Sequence, residues 1–327
     1  YHFAIATFTT GIFRTWYGMY DLETAMQLAS LLLIFVTIFI FIERRSRRKA
    51  AFSIAGSVYK PLKLSQLAGY KNLLAFIACF LPIFIGFILP VLELTYWAFN
   101  YKLDFFNQKF ISTALNTLYL SLAAAFLCTL LALIINFSIR YKTNNLLKFL
   151  SSFLTVGYAV PGLILAIGVM RLLTFLDRNF TIEMFNLVLT GSLVGLMMAY
   201  IIKSYALSST TFDAGFERIS PRIDDVARSL KTSGWNLLSK VHIPLLKTSF
   251  LTSMLLVVAE VIKELPATLI LRPFNFDTLA VSTYIYAAEE RMYDAAAPSI
   301  SIVLVGLIPI IILTRLIRTS RPASRDS

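Results

Sequence analysis

The sequence has little of what a catalytic or metal-binding site requires. Its 327 residues include two cysteines and two histidines, and the members of each pair lie far apart. This excludes a disulfide framework and argues against a His/Cys metal site. No G-x-x-x-x-G-K-[S/T] loop is present for P-loop ATP hydrolysis, and no Ser/His/Asp, H-E-x-x-H or paired-carboxylate arrangement supports enzymatic chemistry. We therefore predict no catalytic residue, no metal site and no cofactor bound by this chain.

Charge is also scarce, whereas apolar residues are abundant. Charged residues make up 15% of the chain and hydrophobic residues 57%, with a mean hydropathy of +0.73. A soluble domain has about 25% charged residues, so this composition indicates an integral membrane protein. A run of ~20 apolar residues crosses ~30 Å of hydrocarbon as a helix. Seven such runs predict an all-α protein with about seven transmembrane helices, at 24–42, 72–99, 111–139, 149–172, 184–207, 248–270 and 298–317.

The net charge of +12 is distributed according to topology. Alternate loops (43–71, 140–148, 203–247 and the tail after 311) hold 22 lysines and arginines, whereas the intervening loops hold six. The positive-inside rule therefore predicts that the basic loops and the C-terminus are cytoplasmic. Because the charge does not gather in one domain, we expect membrane lipid and no nucleic acid as a partner.

Span parity predicts the domain organisation. Seven spans with a cytoplasmic C-terminus place 1–23 outside the membrane. The last six spans then form a closed unit over 72–317, followed by a cytoplasmic tail at 318–327. We interpret 24–42 as the last helix of a preceding unit and 43–71 as a basic cytoplasmic linker, which would make this chain the C-terminal part of a longer protein. A natural seven-span protein is the alternative.

The longest predicted cytoplasmic loop, 207–247, has an internal pattern. Ser220 suits a helix N-cap and Pro221 the first helical position. One apolar face follows at Ile223, Val226, Ala227 and Leu230. Gly234 then breaks the helix, and a second short helix ends at Pro244. From the pattern alone, this element could lie in the lipid interface or dock into a groove of a cytoplasmic partner.

Three segments of the chain resemble a known family. The run Asp225-Val-Ala-Arg-Ser-Leu, Gly234 and Val241-His-Ile-Pro resembles the EAA loop of type I ABC importer permeases, although Gly234 lies further along than the strict spacing. The run Lys263-Glu-Leu-Pro-Ala-Thr-Leu-Ile-Leu-Arg-Pro is similar to one in fused, two-unit ferric iron permeases, and so is Arg14-Thr-Trp-Tyr-Gly. The resemblance covers nearly the whole chain.

The resemblance implies a type I ABC permease (MetI-like) unit in a bacterial plasma (inner) membrane. Such a permease takes substrate from a periplasmic or extracellular binding protein, while separate ABC ATPase subunits bind and hydrolyse ATP. The expected substrate is ferric iron, with thiamine, phosphonate or another small solute as alternatives. The EAA loop would form a coupling helix that docks on the ATPase subunit through Ile223, Asp225, Val226, Ala227, Arg228, Leu230, Gly234, Ile243 and Pro244.

A charged group near the outer half of the sixth predicted span suggests a further site. Glu260, Lys263 and Glu264 are spaced i, i+3 and i+4, so they share a helix face and can pair. Charges within a span are costly, and these could line the translocation path, lock its gate, or form a structural ion pair facing the bundle. Pro266 would bend the helix beside them.

An ion-coupled secondary transporter that uses this charged group as a relay is the alternative of a different class. The helix–Gly–helix in 207–247 favours the importer, because an ion-coupled carrier needs no docking element.

Overall fold

The computed structural model describes residues 7–48, 67–101, 107–142, 145–181 and 188–319. These residues form helices and no strand, which confirms the all-α membrane fold. The helices are α1 (Phe8–Phe13), α2 (Leu22–Arg48), α3 (Tyr70–Asn100), α4 (Gln108–Tyr141), α5 (Asn145–Val156), α6 (Gly162–Leu176), α7 (Leu193–Glu217), α8 (Pro221–Ser229), α9 (Gly234–Leu245), α10 (Lys247–Ile262), α11 (Pro266–Leu271), α12 (Leu279–Ala288) and α13 (Met292–Thr319).

Five of the described helices are long and apolar enough to cross a membrane: α2, α3, α4, α7 and α13. The pair α9 and α10, bent by 77°, gives a sixth if it counts as one span. The predicted fourth span, 149–172, is divided instead. It consists of α5, a 3-10 turn at Gly157–Ala159, and α6, with Pro161 as the N-cap of α6. Proline has no N–H to continue the helix, so the division falls there.

The predicted fifth span, 184–207, is displaced by about ten residues, because α7 runs over Leu193–Glu217. Gly191 has φ +76° and Ser192 caps the helix by accepting a hydrogen bond from the Val194 amide. As a result Lys203, which the charge count assigned to a loop, is the eleventh of the 25 residues in α7. The start of the predicted span, most of the 43–71 linker and the tail from residue 320 lie outside the described residues.

The core lies where α4, α7 and α10 pack against one another. Small buried residues such as Ala124, Ala132 and Ala199 allow the helices to approach closely. The Thr129 and Ser253 hydroxyls lie 2.9 Å apart and join α4 to α10 by a hydrogen bond. By contrast α3 carries no buried residue in its most apolar stretch, as expected for a lipid-facing helix.

Gly157 and Gly195 allow two close helix contacts. A Cβ atom on Gly157, between α5 and α6, would lie 2.5 Å from the carbonyl oxygen of Ile202 in α7. A Cβ atom on Gly195 would lie 2.5 Å from Cδ1 of Leu173 in α6. Both contacts press α7 against the divided fourth span, so the break there is held in place by packing.

Substitution of Gly157 tests this packing. We expect Gly157→Ala to cost about 1–3 kcal/mol, because the added methyl group meets rigid backbone, and to lower the melting temperature of the protein in detergent. Gly306→Ala in α13 is the matched control, since no atom other than those of its chain neighbours and its own helix backbone lies within 4 Å of its Cβ position. Equal melting temperatures for the two variants would contradict the close contact.

Candidate functional site

The segment 207–247 begins in α7 and continues through α8 and α9. Ser220 accepts a hydrogen bond from the Arg222 amide and Pro221 is the first residue of α8, which confirms the predicted start. The helix ends earlier than predicted, at Ser229, and Lys231, the residue after its C-cap, has a φ of +58°. There the Thr232 amide donates to the Ala227 carbonyl at 2.9 Å, in the pattern of a Schellman cap.

Gly234 does not end α8, which is a correction to the sequence prediction. Its φ is +54°, and it begins α9 with open space around it. In the strict EAA pattern three residues separate the E-A-A triplet, here 225–227, from the glycine, which would therefore be residue 231. Lys231 occupies this position and adopts the left-handed conformation that favours glycine. That conformation costs a lysine roughly 1–2 kcal/mol. The Thr232 bond and a second cap hydrogen bond, from the Lys231 amide to the Arg228 carbonyl at 2.9 Å, offset this cost.

One side of α8 is apolar and exposed. Val226 is 60% exposed and Leu230 74%, and Ile223 shares their side of the helix. We call these three residues the exposed apolar face. Ala227, predicted to belong to it, is instead buried in the core together with Asp224. Ala227 and Asp224 are spaced i, i+3 and lie on the opposite side of α8. The apolar periodicity did not distinguish this buried side from the exposed one.

The other predicted docking residues are exposed. Asp225 and Arg228 both lie at the surface, and the Arg228 guanidinium is 5.7 Å from the centre of the Tyr141 ring. Ile243 and Pro244 are exposed near the end of α9. These side chains are therefore available to a partner, as the exposed apolar face is.

Asp224 fastens α8 to the bundle. Its carboxylate accepts a hydrogen bond from Nε of Arg140 at 2.8 Å. The same guanidinium donates to the carbonyl oxygens of Phe216 at 2.6 Å and Ile219 at 2.9 Å, around the end of α7. One arginine at the end of α4 therefore holds α7 and α8 together.

His242 completes this cluster from α9. It is wholly buried, and Nε2 lies 3.1 Å from Oδ1 of Asp224, although the two are not aligned for a hydrogen bond. The rings of Phe137 and Phe216 pack against it. Burial lowers the pKa of His242 below its usual 6.5, and Asp224 only partly opposes this effect. We call Arg140, Asp224 and His242 the clamp.

A second cluster forms where two helix breaks meet. Glu264, 6% exposed, lies between α10 and α11 and forms an ion pair with Lys203 in α7. Its carbonyl oxygen accepts a hydrogen bond from the Thr268 hydroxyl at 2.6 Å, and that hydroxyl lies 2.7 Å from the hydroxyl of Tyr200. Gly162, at the start of α6, packs directly on the pair, because a Cβ there would lie 2.6 Å from Oε1 of Glu264.

The predicted grouping of Glu260, Lys263 and Glu264 is corrected by this geometry. Lys263 pairs with Glu260 at 3.0 Å, but its side chain is 63% exposed. Glu264 points elsewhere, because α10 ends at Ile262 and Pro266 begins a new helix. Pro266 therefore follows a break in the span and does not merely bend it.

The two breaks border a cleft of about 520 Å³. Its walls include Thr9 and Phe13 from α1, Gly162 from α6, Pro266 from α11 and Tyr284 from α12. The Lys203–Glu264 pair lies behind the Gly162 wall.

Arg140, Lys203, Asp224 and His242 were not predicted from the sequence as site residues. Only the Ser192 cap could have indicated that Lys203 lies within a helix.

Comparison with known proteins identifies the family. Residues 129–325, well over half of the chain, match the family described as the binding-protein-dependent transport system inner membrane component. The chain belongs to this family. The match includes α7 to α11, and therefore both the exposed apolar face and the Lys203–Glu264 pair. It places the chain among ABC importer permeases and not among ion-coupled carriers.

Two curated relatives show what the chain is similar to. It is 26% identical over 318 residues to an Fe(3+)-transport system permease protein of Haemophilus influenzae, covering 94% of this chain. The chain spans 60% of the length of that relative. It is also 26% identical over 221 residues to a Salmonella typhimurium permease protein named for 2-aminoethylphosphonate transport, covering 66% of this chain and 80% of the relative.

Solved structures share the fold. A chain from a bacterial alginate ABC transporter, in complex with an alginate pentasaccharide-bound periplasmic protein, matches with a TM-score of 0.57 at 17% identity. The match covers 79% of this chain and 95% of that one. A second alginate transporter structure matches with a TM-score of 0.55 at 16% identity. At these identities, the likeness shows the fold alone.

The clamp predicts a specific loss of stability. Asp224→Asn should destabilise the protein by about 2 kcal/mol, less than the 3–5 kcal/mol for breaking a fully buried pair, because solvent partly reaches the clamp. The melting temperature in detergent measures this effect. Asp225→Asn is the control, since Asp225 is exposed, and an equal loss in both variants would contradict the clamp.

The clamp also predicts acid sensitivity. Because the pKa of His242 is lowered in the folded protein, the unfolded chain binds more protons between pH 6.5 and that lowered value. Stability should therefore be full above pH 6.5 and decline as the pH falls through this window. Melting temperatures recorded between pH 7.5 and 5 should show the decline, and His242→Gln should reduce it. An unchanged decline in the variant would refute the assignment.

Proposed function

We propose that this chain is the membrane permease subunit of an ATP-driven importer, and that α8 and α9 dock on its ATPase subunits. The observation that carries the proposal is the exposed apolar face on a helix that the clamp holds rigidly. Ile223, Val226 and Leu230 are left uncovered beyond the predicted cytoplasmic ends of α4 and α7. An apolar helix face of this kind suits a groove on a partner protein.

The clamp gives such docking a mechanical consequence. Arg140 bonds to α8 through Asp224 and to the end of α7 through two carbonyl oxygens. A displacement of α8 by the ATPase subunits would therefore move α4 and α7 with it. This is rigid-body gating, in which ATP binding and hydrolysis drive the helices between inward-open and outward-open states.

We place the translocation path at the cleft beside the two helix breaks. Irregular backbone at membrane depth is tolerated where it is buried in protein or lines a cavity, and both breaks border this cleft. Pro266 would then belong to its wall, and Glu264 would lie directly behind that wall. The Glu260–Lys263 pair lies further towards the surface and would support the end of α10.

Ferric iron is the substrate that we propose, and 2-aminoethylphosphonate is the second candidate. The iron-permease relative matches 94% of this chain, whereas the phosphonate relative matches 66%. In both cases a periplasmic or extracellular binding protein would deliver the solute. The permease would sit in a bacterial inner membrane, with its C-terminus in the cytoplasm.

Solute uptake tests the proposed function. Cells carrying the intact transporter, a deletion of this chain or the Val226→Glu variant should be given radiolabelled ferric iron under iron limitation. We expect uptake to fall to background in both mutants. If iron uptake is unchanged in the deletion, iron is the wrong substrate, and the same strains should be tested with 2-aminoethylphosphonate and thiamine.

Docking has a more direct readout. Val226→Glu should abolish co-purification of the ATPase subunits, because a buried carboxylate without a partner is costly at an interface, while leaving membrane insertion and the melting temperature unchanged. Phe274→Glu is the matched control, since Phe274 is 99% exposed in the loop between α11 and α12. Retained co-purification of the Val226 variant would count against docking through α8.

A further inference from the structure

We propose that Lys203 is a positioning residue for transport, and that its ion pair with Glu264 couples movement of α7 to the wall of the cleft. The inference rests on the proposed function, in which that cleft is the translocation path. Lys203 lies in the middle of α7, and Glu264 lies in the break between α10 and α11. The pair therefore links the helix that the clamp holds to the helix that borders the cleft.

Charge and burial single out this pair. Glu264 is almost completely buried and Lys203 largely so. Oε1 of Glu264 also accepts a hydrogen bond from the Ala267 amide, in the first turn of α11. A buried carboxylate is stable only with such partners. A shift of Lys203 would therefore move Glu264 and disturb its hydrogen bond to the start of α11.

Gly162 extends the link to the second break. The space that its side chain would occupy is filled by Oε1 of Glu264, at 2.6 Å, and by Nζ of Lys203, at 3.3 Å. Gly162 itself lines the cleft. Movement of the pair would therefore press on α6 and α11 together, so both sides of the cleft wall would respond to α7.

A second contact between the same helices permits a clean test. Tyr200, one turn before Lys203 in α7, bonds to Thr268 in α11 through their hydroxyls at 2.7 Å. Neither charged side chain of the ion pair takes part in this contact. Removal of the Lys203 charge should therefore leave α7 and α11 packed while it frees Glu264.

The experiment uses the whole transporter, reconstituted in lipid vesicles with its ATPase subunits and binding protein. It measures solute transported and ATP hydrolysed, with whichever of ferric iron or 2-aminoethylphosphonate is taken up. We expect Lys203→Met to reduce transport per ATP about tenfold, within the usual range of coupling between sites, while ATP hydrolysis continues. Lys203→Arg, which keeps the charge, should transport nearly as well as the wild type.

Glycine variants provide an independent test with a matched control. Gly162→Ala should also uncouple transport from hydrolysis, whereas Gly168→Ala in the same helix should not. No atom other than those of its chain neighbours and its own helix backbone lies within 4 Å of the Cβ position of Gly168. Unchanged transport per ATP in both Lys203→Met and Gly162→Ala would overturn the inference. So would an equal fall of transport and hydrolysis in Lys203→Met, which indicates a purely structural pair. If the wild type itself shows no ATP-dependent transport, the proposed function fails instead.

Discussion

A carboxylate buried in a protein is stable only with partners that offset its charge, and two buried carboxylates of this protein form ion pairs that contact α7. Asp224 is held by Arg140, which also bonds to the carbonyl oxygens around the end of α7. Glu264 is held by Lys203, in the middle of the same helix. Removing either partner of such a pair leaves a buried charge without its counter-ion, which is costly. The two pairs therefore hold α7 at its end, through Arg140, and in its middle, through Lys203. It thereby connects the segment that we propose to dock on the ATPase subunits with the cleft that we propose as the path.

The two helix breaks also need partners within the protein for their buried polar groups. Where Pro161 and Pro266 interrupt their spans, backbone groups lose their helical partners and must be satisfied within the protein. The Thr268 hydroxyl bonds to the Glu264 carbonyl, and Glu264 caps the start of α11 through Ala267. Gly162 leaves the space that brings the two breaks together. The irregular backbone at these breaks is thus stabilised by side chains.

Local features of the fold could be predicted from the sequence. Hydropathy identified the helical regions, and Ser220 and Pro221 correctly marked the start of α8. The sequence predictions were wrong where a helix cap or a contact between distant residues determines the structure. The Ser192 cap moved α7 by about ten residues, and Ala227 is buried because Asp224, on the same side of α8, binds Arg140.

The ion pairs themselves could not have been predicted. Arg140 and Asp224 are 84 residues apart, and Lys203 and Glu264 are 61 apart. No helical periodicity relates positions at such separations. The sequence identified Glu264 as a site residue, but through the neighbouring residues Glu260 and Lys263, which form a separate pair at the surface.

Cross-linking from α8 to the ATPase subunit tests the central claim most directly. In a background with the exposed Cys79 replaced by serine, Val226→Cys would be treated with a short bismaleimide alongside ATPase subunits that carry single cysteines in their membrane-facing groove. The account predicts a cross-linked product from Val226→Cys and none from the Phe274→Cys control. Absence of any product from Val226→Cys in an assembled, ATP-hydrolysing complex would contradict docking through α8.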